Sequence, residues 1–182
     1  MKAEIFPPKG VIVMTDAELR QALTRLREGN KDALAEIYDS LSTPIYTISL
    51  RITGRRDLAE DAVQELFMKL QSAPPKDIAK PRAYIFKSAR NTAIDILRRE
   101  PSHEDLDEHC DIAAPTEDDV TDITAALMQL PEEQRSIVTL HINAGLKFRE
   151  ISEATETPLG TVLWRYNKAL KTLRDILNGG TA

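Results

Sequence analysis

Between Pro101 and Asp122 the chain reads PSHEDLDEHCDIAAPTEDDVTD, and this stretch constrains the fold more than any other. It holds nine carboxylates (Glu104, Asp105, Asp107, Glu108, Asp111, Glu117, Asp118, Asp119 and Asp122), two prolines and no Lys or Arg. With so few large apolar side chains it cannot bury enough surface to offset its ordering entropy. Residues 101–120 therefore read as an acidic flexible linker, and whatever folds must fold on either side of it. Both flanks carry helical periodicity, and only VIVM at Val11–Met14 alternates like a strand. The expected fold class is all-α: two small helical domains, 15–100 and 121–178, after an N-terminal extension, 1–14. A chain of 182 residues is long enough for two such units.

Thr15 and Glu18 form a capping box that opens a helix running to about Glu28, with Gly29 placed to stop it. Met14, directly before that box, is a second candidate start of translation. Asn30 is expected to cap the next helix, whose stripe is Leu34, Ile37, Tyr38, Leu41, Ile45, Ile48 and Ile52; Pro44 predicts a kink or restart within it. Asp57–Gln71 gives a third helix, with Leu58, Ala59, Ala62, Val63, Leu66, Phe67 and Leu70 inward and Glu60, Asp61, Gln64 and Glu65 outward. A fourth starts at Pro81, with Tyr84, Ile85, Ser88, Ala89, Ala93, Ile96 and Leu97 inward and Lys87, Arg90, Asn91, Arg98 and Arg99 outward.

Charge and cysteine content narrow the function class. The net charge is −5, but residues 101–122 carry −9 and leave the rest at +4. Residues 51–100 alone hold eleven basic and seven acidic groups. Such asymmetry points to a nucleic-acid surface beside an acidic connector. A single cysteine, Cys110, excludes an internal disulfide framework and fits a reducing, cytoplasmic setting. No apolar run approaches the roughly 18 residues a membrane helix needs, and the N-terminus has no signal-peptide pattern, so no membrane insertion is expected. The spacing of His103, His109 and Cys110 fits no standard zinc pattern. Nor do paired carboxylates converge with a Lys or His, so neither metal, cofactor nor enzymatic chemistry is expected.

The C-terminal block is read as helices at Val120–Leu130 and Glu132–Asn143, a short helix FREISEAT with Ile151 and Ala154 inward, and a last helix from Pro158. Placing Gly160 in the intervening turn gives helix-turn-helix proportions, with Thr161 beginning the run that would enter a major groove. On the last helix Val162, Tyr166, Ala169, Leu170, Leu173 and Leu177 share a core face. Trp164, the only tryptophan, lies roughly 160° away with Lys168 and Lys171 and is expected at the surface. His141 is expected at a partly buried edge.

These residues carry a resemblance. The run LMQLPEEQRSIVTLHINAGLKFREISEATETPLGTVLWRYNKALKTLR resembles region 4 of bacterial sigma factors. The phrases AEDAVQE and ARNTAIDILRR, within ALAEIYDSLSTPIYTISLRITGRRDLAEDAVQELFMKL and PRAYIFKSARNTAIDILRR, look like region 2. With no residues left for other regions, the chain resembles the extracytoplasmic-function (ECF) group. That resemblance implies a non-catalytic factor that binds core RNA polymerase, places it on promoter DNA and helps to open it. It implies that Asp61, Gln64 and Glu65 meet the polymerase clamp. Lys80, Arg82, Lys87, Arg90, Arg98 and Arg99 would hold phosphates of the minus-ten element, with Asn91 on a base or sugar edge. Arg149, Thr161, Leu163, Trp164, Arg165, Lys168 and Lys171 would meet the minus-thirty-five element. The acidic linker would thread the polymerase toward the RNA exit path. An anti-sigma protein gripping both domains by exposed working faces is also implied, and Leu163 and Trp164, where the family usually has Lys and Ser, suit either DNA or that partner. A helix-turn-helix regulator, or a sigma-like adaptor that does not initiate transcription, remains the alternative.

Overall fold

The computed structural model describes residues 14–76, 78–99 and 118–177, with side chains in the last block from Ile123 onward. Among these residues there are helices and no strand. The first, α1 (Asp16–Arg27), opens on the expected capping box: the Glu18 N–H donates to Thr15 Oγ1 at 3.3 Å and the Thr15 N–H to Glu18 Oε2 at 2.8 Å. Gly29 takes a φ of 93°, where a side chain would be strained, and ends the helix. Asn30 acts one position early: its Oδ1 accepts from the Asp32 N–H at 2.9 Å while Lys31 holds the N-cap position.

The second helix, α2 (Asp32–Thr53), does not restart at Pro44 but runs through the proline as one helix. Ile37, Leu41, Ile45, Ile48 and Ile52 are all fully buried, so a restart would break one continuous apolar stripe merely to relieve the clash of the proline ring with one carbonyl. α3 (Arg56–Ser72) buries the seven side chains expected of it. α4 (Pro81–Arg99) buries a wider sector than its sequence indicated, adding Phe86, Thr92 and Ile94, whereas Tyr84 turns out exposed. The cause is that α4 packs against α1, α2 and α3 and also against a later helix, α7 (Phe148–Thr155), so it is covered from two sides.

That later group comprises α5 (Asp118–Met128), α6 (Glu132–Ile142), α7 (Phe148–Thr155) and α8 (Leu159–Leu177). α5 begins within the stretch read as connector, and His103, His109, Cys110 and the segment VIV lie outside the described residues. Gly160 does not make the α7–α8 turn; it lies in the first turn of α8, and Glu156, with a φ of 52°, is the left-handed residue. Val162 and Ala169 anchor α8, with Tyr166, Leu170 and Leu173 partly covered; Leu177, expected in the core, is exposed because the helix outruns its neighbours. His141 sits at the expected edge, stacked on Phe148 (centroids 4.2 Å apart) and edge-on to Tyr166, with Nδ1 2.8 Å from the Leu146 carbonyl oxygen.

The two groups do not stand apart. One buried cluster runs from Leu41, Ile45 and Ile48 of α2 and Phe86 of α4 into Ile137, Leu140, Ala144, Leu146 and Ile151. Arg51 on α2 donates to Asn143 Oδ1 at 2.7 Å, and Met128 on α5 lies against Gly54 at the end of α2.

Candidate polymerase and nucleic-acid interfaces

The outward face of α3 keeps Asp61 and Gln64 exposed. Glu65 is engaged: it pairs with Lys69 at 2.7 Å and Arg99 at 3.4 Å, and the Lys69 hydrogen bond holds its carboxyl below the usual range. Beside this polar stripe lies a feature the sequence reading missed. Tyr38 and Tyr46 of α2 with Val63, Gln64, Phe67 and Met68 of α3 line an apolar groove of about 600 Å³. Tyr38 stacks obliquely on Phe67 at 4.8 Å and remains 48% exposed, while Met68 is 61% exposed. The signal was present in the register: Met68 lies four residues after Gln64 and seven after Asp61, so it belongs to the same face. An apolar floor with acidic neighbours suits an amphipathic helix with a basic flank.

The basic residues of α4 and its preceding loop are positioned by α1. Arg20 donates to the Ala79 carbonyl at 2.8 Å, and Asp16 Oδ1 accepts from the Arg82 N–H at 2.9 Å, satisfying an orphan donor in the first turn of α4. Lys80, Arg98 and Arg99 are exposed as expected, but each is paired, while Arg82, Lys87, Arg90 and Asn91 are partly covered. Lys80 pairs with Glu153 at 3.0 Å and Lys87 with Glu156 at 3.3 Å, both from the α7 end. Arg98 pairs with Glu132 at 3.2 Å, and Arg82 donates to the Ala144 carbonyl at 3.2 Å. Arg90 donates to Asn91 Oδ1 at 3.0 Å, and burial pushes its guanidinium pKa down. Arg99 alone of this set turns to α3, toward Glu65. Between Lys80 and Lys87 stands Tyr84, 41% exposed, which the sequence reading had placed inward. An exposed ring flanked by cations is the arrangement on which an unpaired base stacks.

On α8 the expected surface is present. Trp164 is 59% exposed and Leu163 39%, with Lys168 Nζ 5.0 Å from the indole centroid in a cation–π contact. Lys171 and, on α7, Arg149 are exposed, and Thr161 is partly covered. Arg165 differs: it pairs with Glu133 of α6 at 2.6 Å, tying the helix to its own unit.

Comparison with known proteins now bears on these surfaces. Residues 37–102 match the family model for sigma-70 region 2, and residues 121–173 match that for sigma-70 region 4. The ECF RNA polymerase sigma factor SigK of Mycobacterium ulcerans (strain Agy99) is 26% identical over 176 residues, covering 88% of this chain and 94% of its own. SigW of Bacillus subtilis (strain 168), also an ECF RNA polymerase sigma factor, is 27% identical over 177 residues, covering 86% and 95%. Among solved structures, CnrH in complex with the cytosolic domain of CnrY superposes with a TM-score of 0.71 at 16% identity, covering 90% of this chain and 99% of that one. The sigma factor RpoE of Bartonella quintana, in complex with the anti-sigma factor NepR, gives 0.59 at 22% identity, covering 91% and 97%. The fold and the two matched regions define a bacterial transcription-initiation class. The chain belongs to the sigma-70 family and, within it, to the ECF RNA polymerase sigma factors. No helix among the described residues is long and apolar enough to cross a membrane.

Proposed function

We propose that this sigma factor binds core RNA polymerase through the exposed face of α3, with Asp61, Gln64 and Glu65 joined by Met68, Tyr38 and Phe67. The observation that carries the reading is one chain holding both sigma-70 regions in order, with an apolar groove edged by Glu60 and Gln64 on the first. The α4 face, Lys80, Arg82, Lys87, Arg90, Asn91, Arg98 and Arg99, takes the minus-ten element, and Tyr84 receives an unstacked base. Unstacking costs a few kcal/mol, which ring stacking of about 1–3 kcal/mol per base offsets. Arg149, Thr161, Leu163, Trp164, Arg165, Lys168 and Lys171 take the minus-thirty-five element, the indole and Leu163 against thymine methyls or sugar. The domains meeting these partners span 15–100 and 121–178, the acidic linker between them follows the RNA exit path, and the factor works in the cytoplasm without catalytic chemistry of its own. An anti-sigma protein is a further partner, supported by the two superposable sigma folds having been solved with such proteins or with a cytosolic binding domain.

The test is transcription with purified core enzyme on genomic fragments. Discrete, chain-dependent transcripts are expected. In the same assay Met68→Ala combined with Gln64→Ala weakens core binding about tenfold or more, the loss typical of an interface anchor. DNA binding by the chain alone, with no transcript at any core concentration, overturns the reading in favour of a helix-turn-helix regulator.

A further inference from the structure

The stretch that carries the chain from α3 to α4 has little backbone bonding of its own to hold its shape. Pro74 and Pro75 lack an N–H. Between Ala73, whose N–H reaches the Lys69 carbonyl, and Lys80, whose carbonyl accepts from the Tyr84 N–H, no described residue makes a backbone–backbone hydrogen bond. The hold comes from α1 instead. Arg20 Nη2 donates to the Ala79 carbonyl at 2.8 Å, and its Nε reaches toward the Ile78 carbonyl at 3.5 Å. One turn earlier on the same face, Asp16 Oδ1 accepts from the Arg82 N–H at 2.9 Å. The two side chains thus grip the backbone on both sides of Lys80. α1 can serve as a fixed post because Leu19, Ala22, Leu23 and Leu26 are buried in the same cluster as Ile85 and Ala89 of α4. It precedes residues 37–102, the span matched to region 2. What the grip fixes is one wall of a cavity of about 290 Å³, lined by Ile78, Ala79, Lys80 and Tyr84 among others.

We propose that Arg20, assisted by Asp16, is a positioning residue for promoter opening: it touches no base, but holds the Ile78–Lys80 wall where an unpaired base packs beside Tyr84. The proposal rests on the reading of the α4 face as the minus-ten site. Opening a duplex requires that a base be caught as it leaves the stack, and stacking on a ring acts only at contact. A wall displaced by about 1 Å loses that capture, a misplacement that can cost about a hundredfold. The guanidinium suits the task, since its planar fork addresses two successive carbonyls from one side chain. A lysine, with a single nitrogen, holds one at a time.

Core polymerase assembled with the full chain tests this on a fragment that yields a transcript, used both as a duplex and with its strands mismatched just upstream of the mapped start. Arg20→Ala should slow transcript formation on the duplex about tenfold or more, and on the mismatched template about twofold or less, because there the bases are already unpaired. Arg20→Lys should fall between wild type and Arg20→Ala. Equal losses on the two templates, or no loss on the duplex, overturn the proposal. Two further measurements separate positioning from other roles. The melting temperature of free Arg20→Ala should move by about 2 °C or less, as for an exposed side chain; a larger fall means that α1 itself is loosened and overturns the proposal. The slope of log affinity against log salt for the assembled enzyme on duplex should be unchanged. A slope shallower by about 0.9 means that Arg20 neutralises a phosphate directly, which also overturns it. Lys80→Ala combined with Tyr84→Ala should reproduce the duplex-specific loss. If that variant transcribes the duplex normally, the α4 face is not the minus-ten site; that reading falls and takes the proposal with it, whereas the outcomes above leave the reading standing.

Discussion

Gly54 closes α2 with a φ of 72°, and a Cβ built there would lie 2.9 Å from both Sδ and Cε of Met128. The thioether is held in place, since Arg135 donates to its sulfur at 2.7 Å. Two costs therefore meet at one position: the left-handed backbone, about 1–2 kcal/mol for a residue with a Cβ, and overpacking, about 1–3 kcal/mol. Gly29 separates them, because its φ of 93° carries the first cost and nothing lies within 4 Å to impose the second. Urea unfolding should show Gly29→Ala losing about 1 kcal/mol and Gly54→Ala about 2–4 kcal/mol. Met128→Ala introduced with Gly54→Ala should recover the excess, a coupling expected of touching residues. Equal losses at the two glycines would mean that Met128 does not bear on Gly54.

Pro44 tests how far packing overrides local preference along α2. Proline removes the N–H that would reach the Ser40 carbonyl and crowds that same carbonyl, at a cost of about 3 kcal/mol in a helix interior. The helix nonetheless continues, held by the buried stripe on either side. Pro44→Ala restores the donor but frees the unfolded chain, which offsets about 1 kcal/mol of the gain. The expected net is a stabilisation of about 1–2 kcal/mol, seen as a higher melting temperature with unchanged helical circular dichroism; no gain would show that α2 is already bent to relieve the clash. This is also where legibility from sequence ended. Capping residues, the seven-residue inward face of α3 and the exposed Trp164 follow from short-range chemistry and period, and they were readable. Pro44, Tyr84 and Glu156 were not, because each answers to a neighbour distant in sequence. The apolar groove at Tyr38 and Met68 was half legible: the register of Met68 could be read, but its meeting with α2 could not. The pairing of the α4 cations needed α7, which no periodicity places.

A single buried cluster crossing from α2 and α4 into α6 and α7 has a thermodynamic consequence. If the two sigma regions share a core in the free chain, they unfold together, and the calorimetric and van't Hoff enthalpies agree. The polar key of that seam is Arg51, whose burial lowers its guanidinium pKa without removing the charge and whose donation to Asn143 Oδ1 spans the seam at 2.7 Å. Asn143→Ala leaves a half-buried cation short of an acceptor, at a cost of roughly 1–3 kcal/mol placed at the junction rather than inside either unit. Scanning calorimetry of the wild-type chain should therefore give one endotherm, and Asn143→Ala should broaden or split it, with the α5–α8 unit melting first because its own satellite cluster is the smaller. Replacing Arg51 itself by Met removes the charge together with its need for a partner, so Arg51→Met should keep the single transition, as expected when a buried polar pair gives way to an apolar side chain of similar length. Two transitions in the wild-type chain would sink the shared-core account, and equal behaviour of Asn143→Ala and Arg51→Met would show that the seam is sensitive to any change rather than to an unpaired charge.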